Sequence, residues 1–246
     1  MFDAHVHVGY YSRYGKAEPF YYSPRRVVGV LNRCGVDEFV VSSTCAQVRG
    51  LKVADIVREA REIKRLAGKR AHIFFWLSGH LYGEDRTLSW LKTGLFEGVK
   101  LHECETPWMR KRHGDLLNVL QFVSRYGLSV QFHSGMGGPY APQKLARIAS
   151  AFPNTRFDFA HCIDMEAMSA VLAQCPNVWT DTAYLPLDEF NRLSDYEWHG
   201  RLMFGSDLPV WQAHGDVGLT MMYRKYVEAF RATGIDGACA GHSFFG

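Results

Sequence analysis

The sequence predicts a single α/β domain in which eight parallel strands, each followed by a helix, close into a (β/α)8 or TIM barrel. Eight short runs rich in β-branched and aromatic residues recur along the 246 residues. Their average spacing is about 29 residues, close to the length of a βαβ unit, and eight such units close a parallel barrel. The runs are residues 2–8, 38–42, 72–77, 98–102, 128–133, 156–161, 178–181 and 202–204.

The segments between these runs carry helix signals. Ser23 and Pro24 precede residues 25–33 and Gly35 follows them, which is typical of a capped helix start and a glycine just beyond the end. Apolar residues at helical spacing predict further helices in residues 53–63, 116–123, 168–172 and 221–230. No linker, repeat or low-complexity tract interrupts the chain, so residues 1–246 are predicted to form one domain.

A doubly wound open sheet would also alternate strands and helices, but two observations favour the barrel. The first strand is not followed by a G-x-G-x-x-G turn. Polar residues stand at the carboxyl end of nearly every run, whereas an open sheet gathers them at one switch point. In a barrel all of these ends converge on one mouth.

Composition excludes several classes of protein. A net charge of +3 is too small for a general nucleic-acid-binding surface. The longest apolar stretches, such as residues 73–77, fall far short of the roughly 18–20 residues of a membrane span. The N-terminus lacks the regions of a secretory signal, and the six cysteines include no C-x-x-C pair. The sequence therefore predicts a cytoplasmic protein with reduced thiols.

Two histidines in the first run are candidate metal ligands. The two-residue period of a strand predicts that Asp3, His5 and His7 share one face, which is the interior of a barrel. Two imidazoles on one face can chelate a single ion. An isolated H-x-H more often makes structural hydrogen bonds, so other strand ends must decide between the two interpretations.

Three other strand ends favour a metal site. His133 ends the fifth run, His161 ends the sixth, and Asp207 closely follows the eighth. Because barrel strands gather their carboxyl ends at one mouth, we expect these side chains to lie near His5 and His7. Imidazole and carboxylate ligands suit zinc first, with manganese, iron and cobalt as alternatives.

With these residues the sequence resembles the amidohydrolase superfamily, and most closely its amidohydrolase 2 branch of metal-dependent TIM-barrel hydrolases and decarboxylases. The resemblance extends over nearly the whole chain and includes residues 98–102, 153–157, 176–182 and 205–209. The final residues, 241–246, are similar to the closing helix of that branch, although His242 stands where the branch usually has asparagine.

The resemblance implies a role for each ligand candidate. His5, His7, His133 and Asp207 would hold one divalent ion, with zinc expected, and this ion would lower the pKa of a bound water. His161 would polarise the substrate carbonyl or orient the attacking water. Asp207 would accept the proton of that water and return it to the leaving group.

Lys100 leaves the number of ions open. Some members of the superfamily carboxylate a lysine of the fourth strand to bridge two ions, in which case Lys100 and His161 would be ligands of a second ion. In the branch that this chain resembles, a lysine here often lies beside a single ion. We favour an unmodified Lys100, and the structural alternative is a buried lysine paired with Asp3 or Asp207.

Further residues are weaker candidates for contacts with substrate, namely His102, His80 and Trp211. The aromatic residues of segment 9–23 have two interpretations. They form a lid or a wall of the substrate site, or they pack against the barrel or a partner subunit. The basic residues 110–112 would suit a carboxylate-bearing small molecule, although such runs are more often solvated. Homo-oligomer formation stays open, and no nucleic-acid or membrane partner is expected.

Three activities are compatible with the resemblance. The first is a hydrolase that uses a metal-activated water to cleave an amide, lactone or related ester bond of a small molecule. The second is non-oxidative decarboxylation of a small aromatic or enoic acid. A TatD-like deoxyribonuclease ranks third, because it expects a glutamate on the fourth strand and Glu-Thr-Asp at the eighth, where this chain has Lys100 and Gly-Ser-Asp207.

Overall fold

Each of the eight predicted runs forms a strand in the computed structural model, which describes residues 1–11, 20–47, 51–78, 81, 87–102, 113–135, 138–209 and 215–246. The strands are β1 (Phe2–Tyr11), β2 (Phe20–Tyr22), β3 (Glu38–Ser43), β4 (Ala71–Trp76), β5 (Gly98–Leu101), β6 (Ser129–His133), β7 (Phe157–Ala160), β8 (Val178–Asp181) and β9 (Leu202–Met203). The short strand β2 lies within the aromatic segment 9–23. It pairs antiparallel with the end of β1.

The parallel strands close into a barrel, which confirms the predicted fold class. From β1 through β3 to β9, each parallel strand lies beside the next parallel strand in the sequence. Backbone hydrogen bonds then join the last strand region to the first. The amide of Ala4 donates to the carbonyl of Phe204 over 2.7 Å. The amide of Asp207 donates to the carbonyl of His5 over 2.8 Å, so this closure also places Asp207 against β1.

Helices follow the strands around the outside of the barrel. In the described residues they are α1 (Pro24–Arg33), α2 (Val53–Ala67), α3 (Thr87–Leu91), α4 (His113–Arg125), α5 (Pro142–Ala151), α6 (Met165–Gln174), α7 (Gly215–Ala232) and α8 (Gly237–Phe245). The predicted cap of α1 is present, because the hydroxyl of Ser23 accepts from the amide of Arg26. None of the helices in these parts of the chain is long and apolar enough to cross a membrane.

Strand β1 changes face along its length. Phe2 and Ala4 pack in a small apolar cluster with α8, whereas Val6 and Val8 belong to the main core. Strict alternation would place all four on one face. The register of β1 against β3 shifts between Asp3 and Val6, and such an irregularity reverses the side chains that follow it.

This shift makes one sequence prediction wrong, because Asp3 does not share its surroundings with His5 and His7. Its carboxylate accepts the hydroxyl of Tyr223, on the outer helix α7, over 2.8 Å. It also accepts the amide of Ser206 over 3.0 Å. Asp3 therefore ties the closing strands to an outer helix, and it is not a partner of Lys100.

Helix α8 closes the amino end of the barrel. Phe244 is buried in the same cluster as Phe74 and Met203, and the indole nitrogen of Trp179 donates to the Ser243 hydroxyl over 3.0 Å. A side chain at Gly241 would collide with the ring of Phe2, so close packing requires glycine there. The amino end is thus filled by apolar side chains, and the mouth at the carboxyl end carries the polar groups.

Candidate metal centre

Three predicted ligands meet at the mouth. Nε2 of His5 lies 3.1 Å from Nε2 of His7. The Oδ1 atom of Asp207 lies 3.1 Å from the same atom of His7 and 3.7 Å from that of His5. All three residues are buried. Two separate elements supply them, since the histidines lie on β1 and Asp207 follows β9.

The hydrogen bonds of the two imidazoles indicate which of their nitrogens can offer a lone pair. Nδ1 of His5 lies 2.9 Å from the Asp181 carboxylate, which accepts only, so this nitrogen carries the proton and Nε2 offers a lone pair. Nδ1 of His7 faces the hydroxyl and the carbonyl oxygen of Ser42. With its proton on Nδ1, which the Ser42 carbonyl accepts, His7 also offers a lone pair on Nε2. Two imidazole nitrogens and a carboxylate oxygen thus lie within 4.8 Å of one another, a spacing at which they could hold one metal ion. The donor set therefore fits a divalent ion, and two imidazoles with a carboxylate suit zinc.

Asp181 is the site residue that sequence reasoning missed. It ends β8 and is buried. Besides His5, it accepts the amide of His161 over 3.1 Å and that of Ala183 over 2.9 Å. A carboxylate on the far nitrogen of a ligand histidine fixes the tautomer and the ring orientation. Its position at a strand end was the available signal, but nothing in the sequence indicates its pairing with His5.

Lys100 lies beside this cluster. It is buried on β5, and its Nζ is 3.0 Å from Nε2 of His5. Burial lowers the pKa of Lys100 to about 8, although the carboxylates of Asp181, Asp207 and Asp158 act in the opposite direction. From the sequence, a pairing of Lys100 with Asp3 or with Asp207 is one alternative, but the lysine instead contacts His5.

His133 and His161 form a second pair of imidazoles. Nδ1 of His161 lies 2.9 Å from the carbonyl of Ala183, and its Nε2 lies 2.9 Å from Nδ1 of His133. In the described parts of the chain, ligand atoms lie within 4.8 Å of one another in two groups, His5 with His7 and Asp207, and His5 with His161 and Asp181. His133 belongs to neither group, so its role as a ligand stays a prediction.

The backbone of the site is strained in two places. His161 has a φ of 72° and Asp207 a φ of 55°, a region that residues other than glycine rarely adopt. Such strain persists where the surrounding structure imposes it, and it is common at functional sites. Here the hydrogen bonds from the His161 amide to Asp181 and from the Asp207 amide to His5 hold both residues in place.

The weaker candidates for substrate contacts lie partly at the mouth and partly outside the described residues. His102 lies at the mouth, with its ring 4.1 Å from that of His133 and 5.4 Å from that of Trp76. His80 and Trp211 lie outside the described residues, as does the basic segment 110–112. In the aromatic segment, residues 12–19 are also outside, and the hydroxyl of Tyr21 donates to Glu59 of α2 over 2.9 Å.

Burial sets the protonation states of the centre. Together with the neighbouring Lys100 ammonium, it lowers the pKa of His5 to about 3. Burial also lowers the pKa values of His133 and His161. It would raise the pKa of Asp207, but contacts with His5 and His7 outweigh it and lower that pKa to about 2. At neutral pH the imidazoles of His5, His133 and His161 are neutral and the carboxylate of Asp207 is ionised, which are the forms that bind metal.

Solved structures with the same fold cover nearly the whole chain. A protein of Acinetobacter baumannii assigned as 2-pyrone-4,6-dicarboxylic acid hydrolase, with citric acid bound, has a TM-score of 0.68 at 15% identity over 99% of this chain and 98% of its own. Dihydroorotase from Saccharomyces cerevisiae, in complex with 5-fluoroorotic acid, has a TM-score of 0.63 at 14% identity, over 99% of this chain and 83% of its own. The IDCase of Metarhizium anisopliae has a TM-score of 0.60 at 14% identity, over 99% of this chain and 96% of its own. At such identities these likenesses establish the fold.

The sequence comparisons establish the family. A search of curated protein sequences finds no match. The family model described as amidohydrolase, which represents the amidohydrolase 2 branch, matches residues 49–223, well over half of the chain. Enzymes of this type are metal-dependent hydrolases or decarboxylases. The protein therefore belongs to the amidohydrolase superfamily, within its amidohydrolase 2 branch, and is an enzyme of the amidohydrolase type.

Proposed function

We propose that the protein is a metal-dependent hydrolase that cleaves an amide, lactone or related ester bond of a small molecule by attack of water. The observation that carries this proposal is the convergence of acceptor atoms of His5, His7 and Asp207 at the mouth of the barrel. A barrel of this type places its active site at that mouth.

The three residues would hold one divalent ion, with zinc as the expected metal and His133 as the predicted fourth ligand. An ion bound there supplies Lewis-acid polarisation of the scissile carbonyl and lowers the pKa of a coordinated water from about 15.7 towards 7. Asp181 orients His5 for this role through its hydrogen bond to Nδ1.

Asp207 is the proposed general base and acid. Within the described residues its carboxylate contacts both histidines through Oδ1, so Oδ2 is the oxygen that takes the proton of an attacking water. The low pKa of Asp207, about 2, keeps it ionised at neutral pH. The carboxylic acid formed by the attack then returns the proton to the leaving oxygen or nitrogen.

His161 is proposed to orient the attacking water. Of the two roles considered for it, this one agrees better with its hydrogen bonds. Its Nδ1 proton is directed at the Ala183 carbonyl, so Nε2 is an acceptor. Polarising a carbonyl would require a proton on Nε2, and burial lowers the pKa of His161.

A carboxylate-bearing small molecule is the proposed substrate class. Two proteins of the same fold carry names or ligands with this chemistry, the 2-pyrone-4,6-dicarboxylic acid hydrolase with citric acid and the dihydroorotase with 5-fluoroorotic acid. Decarboxylation is the second candidate, favoured by the likeness to the IDCase of Metarhizium anisopliae.

The test is turnover of carboxylated lactones and cyclic amides by the zinc-loaded protein in ¹⁸O-labelled water. We expect one ¹⁸O atom in the ring-opened product. We also expect Asp207→Asn to lower kcat/KM by about 10²–10⁴-fold, with the exposed Asp195→Asn as the matched control. Release of carbon dioxide without uptake of label would favour the decarboxylase, and full activity of metal-free Asp207→Asn would contradict both.

A further inference from the structure

The position of Lys100 suggests a second role for the lone pair that His5 offers to a metal. Its Nζ lies 3.0 Å from Nε2 of His5. The other nitrogen of His5 donates to Asp181, so Nε2 can only accept, and the lysine donates to it. The ammonium therefore contacts the atom that would coordinate a divalent ion.

A divalent ion and this ammonium cannot both contact that nitrogen. They would be like charges only a few ångströms apart in a buried site, where the repulsion is weakly screened. Lys100 is 1% exposed, so its charge cannot move into solvent without rearrangement of the barrel interior.

The barrel offers another acceptor in the same layer of side chains. Lys100 on β5 is the register neighbour of Gln131 on β6, which in turn is the neighbour of Asp158 on β7. Gln131 donates to Oδ2 of Asp158 over 2.7 Å. The buried Oδ1 of Asp158 has no hydrogen-bond partner in the described parts of the chain. When His5 binds an ion, the lysine would move to this oxygen. Burial and the Asp181 carboxylate raise the pKa of Asp158 well above its usual range, and the arriving ammonium would favour its ionised form.

We propose that the Lys100 ammonium and a divalent ion are alternative partners of His5 Nε2, so that this lysine weakens and thereby sets the affinity of the site for metal. The inference rests on the proposed metal centre. It differs from the role implied by the resemblance to two-ion members of the superfamily, in which a carboxylated lysine would add a ligand. The two roles predict opposite effects of removing the lysine.

The first test is zinc affinity, measured by calorimetry for the wild type, Lys100→Met and the exposed control Lys144→Met. Methionine keeps the length of the side chain without its charge. We expect Lys100→Met to bind zinc at least about tenfold more tightly, and Lys144→Met to match the wild type. Unchanged or weaker binding by Lys100→Met would overturn the inference and leave the metal centre intact. Absence of zinc binding in every variant would overturn the proposed metal centre itself.

A second test uses the wild type, in case Lys100→Met does not fold. In a zinc-bound crystal structure we expect Nζ of Lys100 to leave hydrogen-bond distance of His5 Nε2 and to approach Asp158. Zinc bound at His7 and Asp207 with the lysine still in contact with His5 would overturn the inference. A carboxylated Lys100 bridging two ions would also overturn it.

Discussion

The two ends of the barrel are built from the same strands, but one is packed with apolar side chains and the other carries buried polar groups. At the amino end Phe2, Phe74 and Met203 pack with Phe244 of α8 in an apolar cluster. At the mouth His5, a few residues further along β1 than Phe2, lies among acceptors and a buried ammonium. The first arrangement gains stability from burial, whereas the second buries polar groups and is retained for chemistry. Substitutions at the two ends should therefore separate stability from activity.

The largest expected effect is at the mouth. His5→Ala removes a proposed ligand, and loss of the ion costs about 4 kcal/mol of transition-state stabilisation, or about 10³-fold in kcat/KM. We expect zinc content to fall in parallel, measured by elemental analysis. The exposed His199→Ala is the control. Full zinc content and turnover in His5→Ala would contradict the assignment.

At the amino end, Phe244→Ala should change stability and leave chemistry intact. Truncating a fully buried phenylalanine costs about 3–5 kcal/mol of unfolding free energy. Urea unfolding measures this loss, and the half-exposed Leu117→Ala serves as control. At temperatures where the variant is folded, its kcat should equal that of the wild type. A large fall in kcat without loss of stability would show that the two ends are not separable.

A smaller effect, on zinc affinity, is expected from substitution of Asp181, whose carboxylate contacts Nδ1 of His5. Asp181→Asn keeps the shape of the side chain, but its amide group must face donors, because His5, His161 and Ala183 all donate to this carboxylate. We expect zinc affinity to fall by about 10–100-fold, measured by calorimetry against Asp195→Asn. Unaltered affinity would mean that Asp181 does not orient His5.

How much of this arrangement the sequence predicts depends on the range of the interactions. Buried parallel strands read as apolar runs, so their number and order follow from local pattern, and His5, His7 and Asp207 follow from their strand ends. The reversal within β1 depends on pairing with β3 and the closing strand, so alternation alone misplaced Asp3. Asp181 meets a histidine 176 residues away, which no local signal encodes.

The smallest expected effect lies on the rim of the amino end. Glu97 accepts from His72 over 2.6 Å and from Lys64 over 3.0 Å. Burial would raise the pKa of Glu97, but these two partners outweigh it and lower the pKa below the usual 4.5. The pairing therefore stabilises the fold above that pH, and this contribution is lost as the pH falls through the lowered pKa.

Glu97→Gln should accordingly lower the unfolding free energy at pH 7 by no more than about 1 kcal/mol. The difference from the wild type should vanish towards pH 3, and the exposed Glu166→Gln should show no such change. Urea unfolding at both pH values checks the sign. A difference that grows on acidification would contradict the assigned direction of the pKa.

The location of a bound ion tests the central claim most directly. We predict that anomalous diffraction from zinc-loaded crystals shows a peak about 2.0–2.2 Å from Nε2 of His5, Nε2 of His7 and a carboxylate oxygen of Asp207. A peak that contacts only His133 and His161, or none of these residues at saturating zinc, would contradict the account.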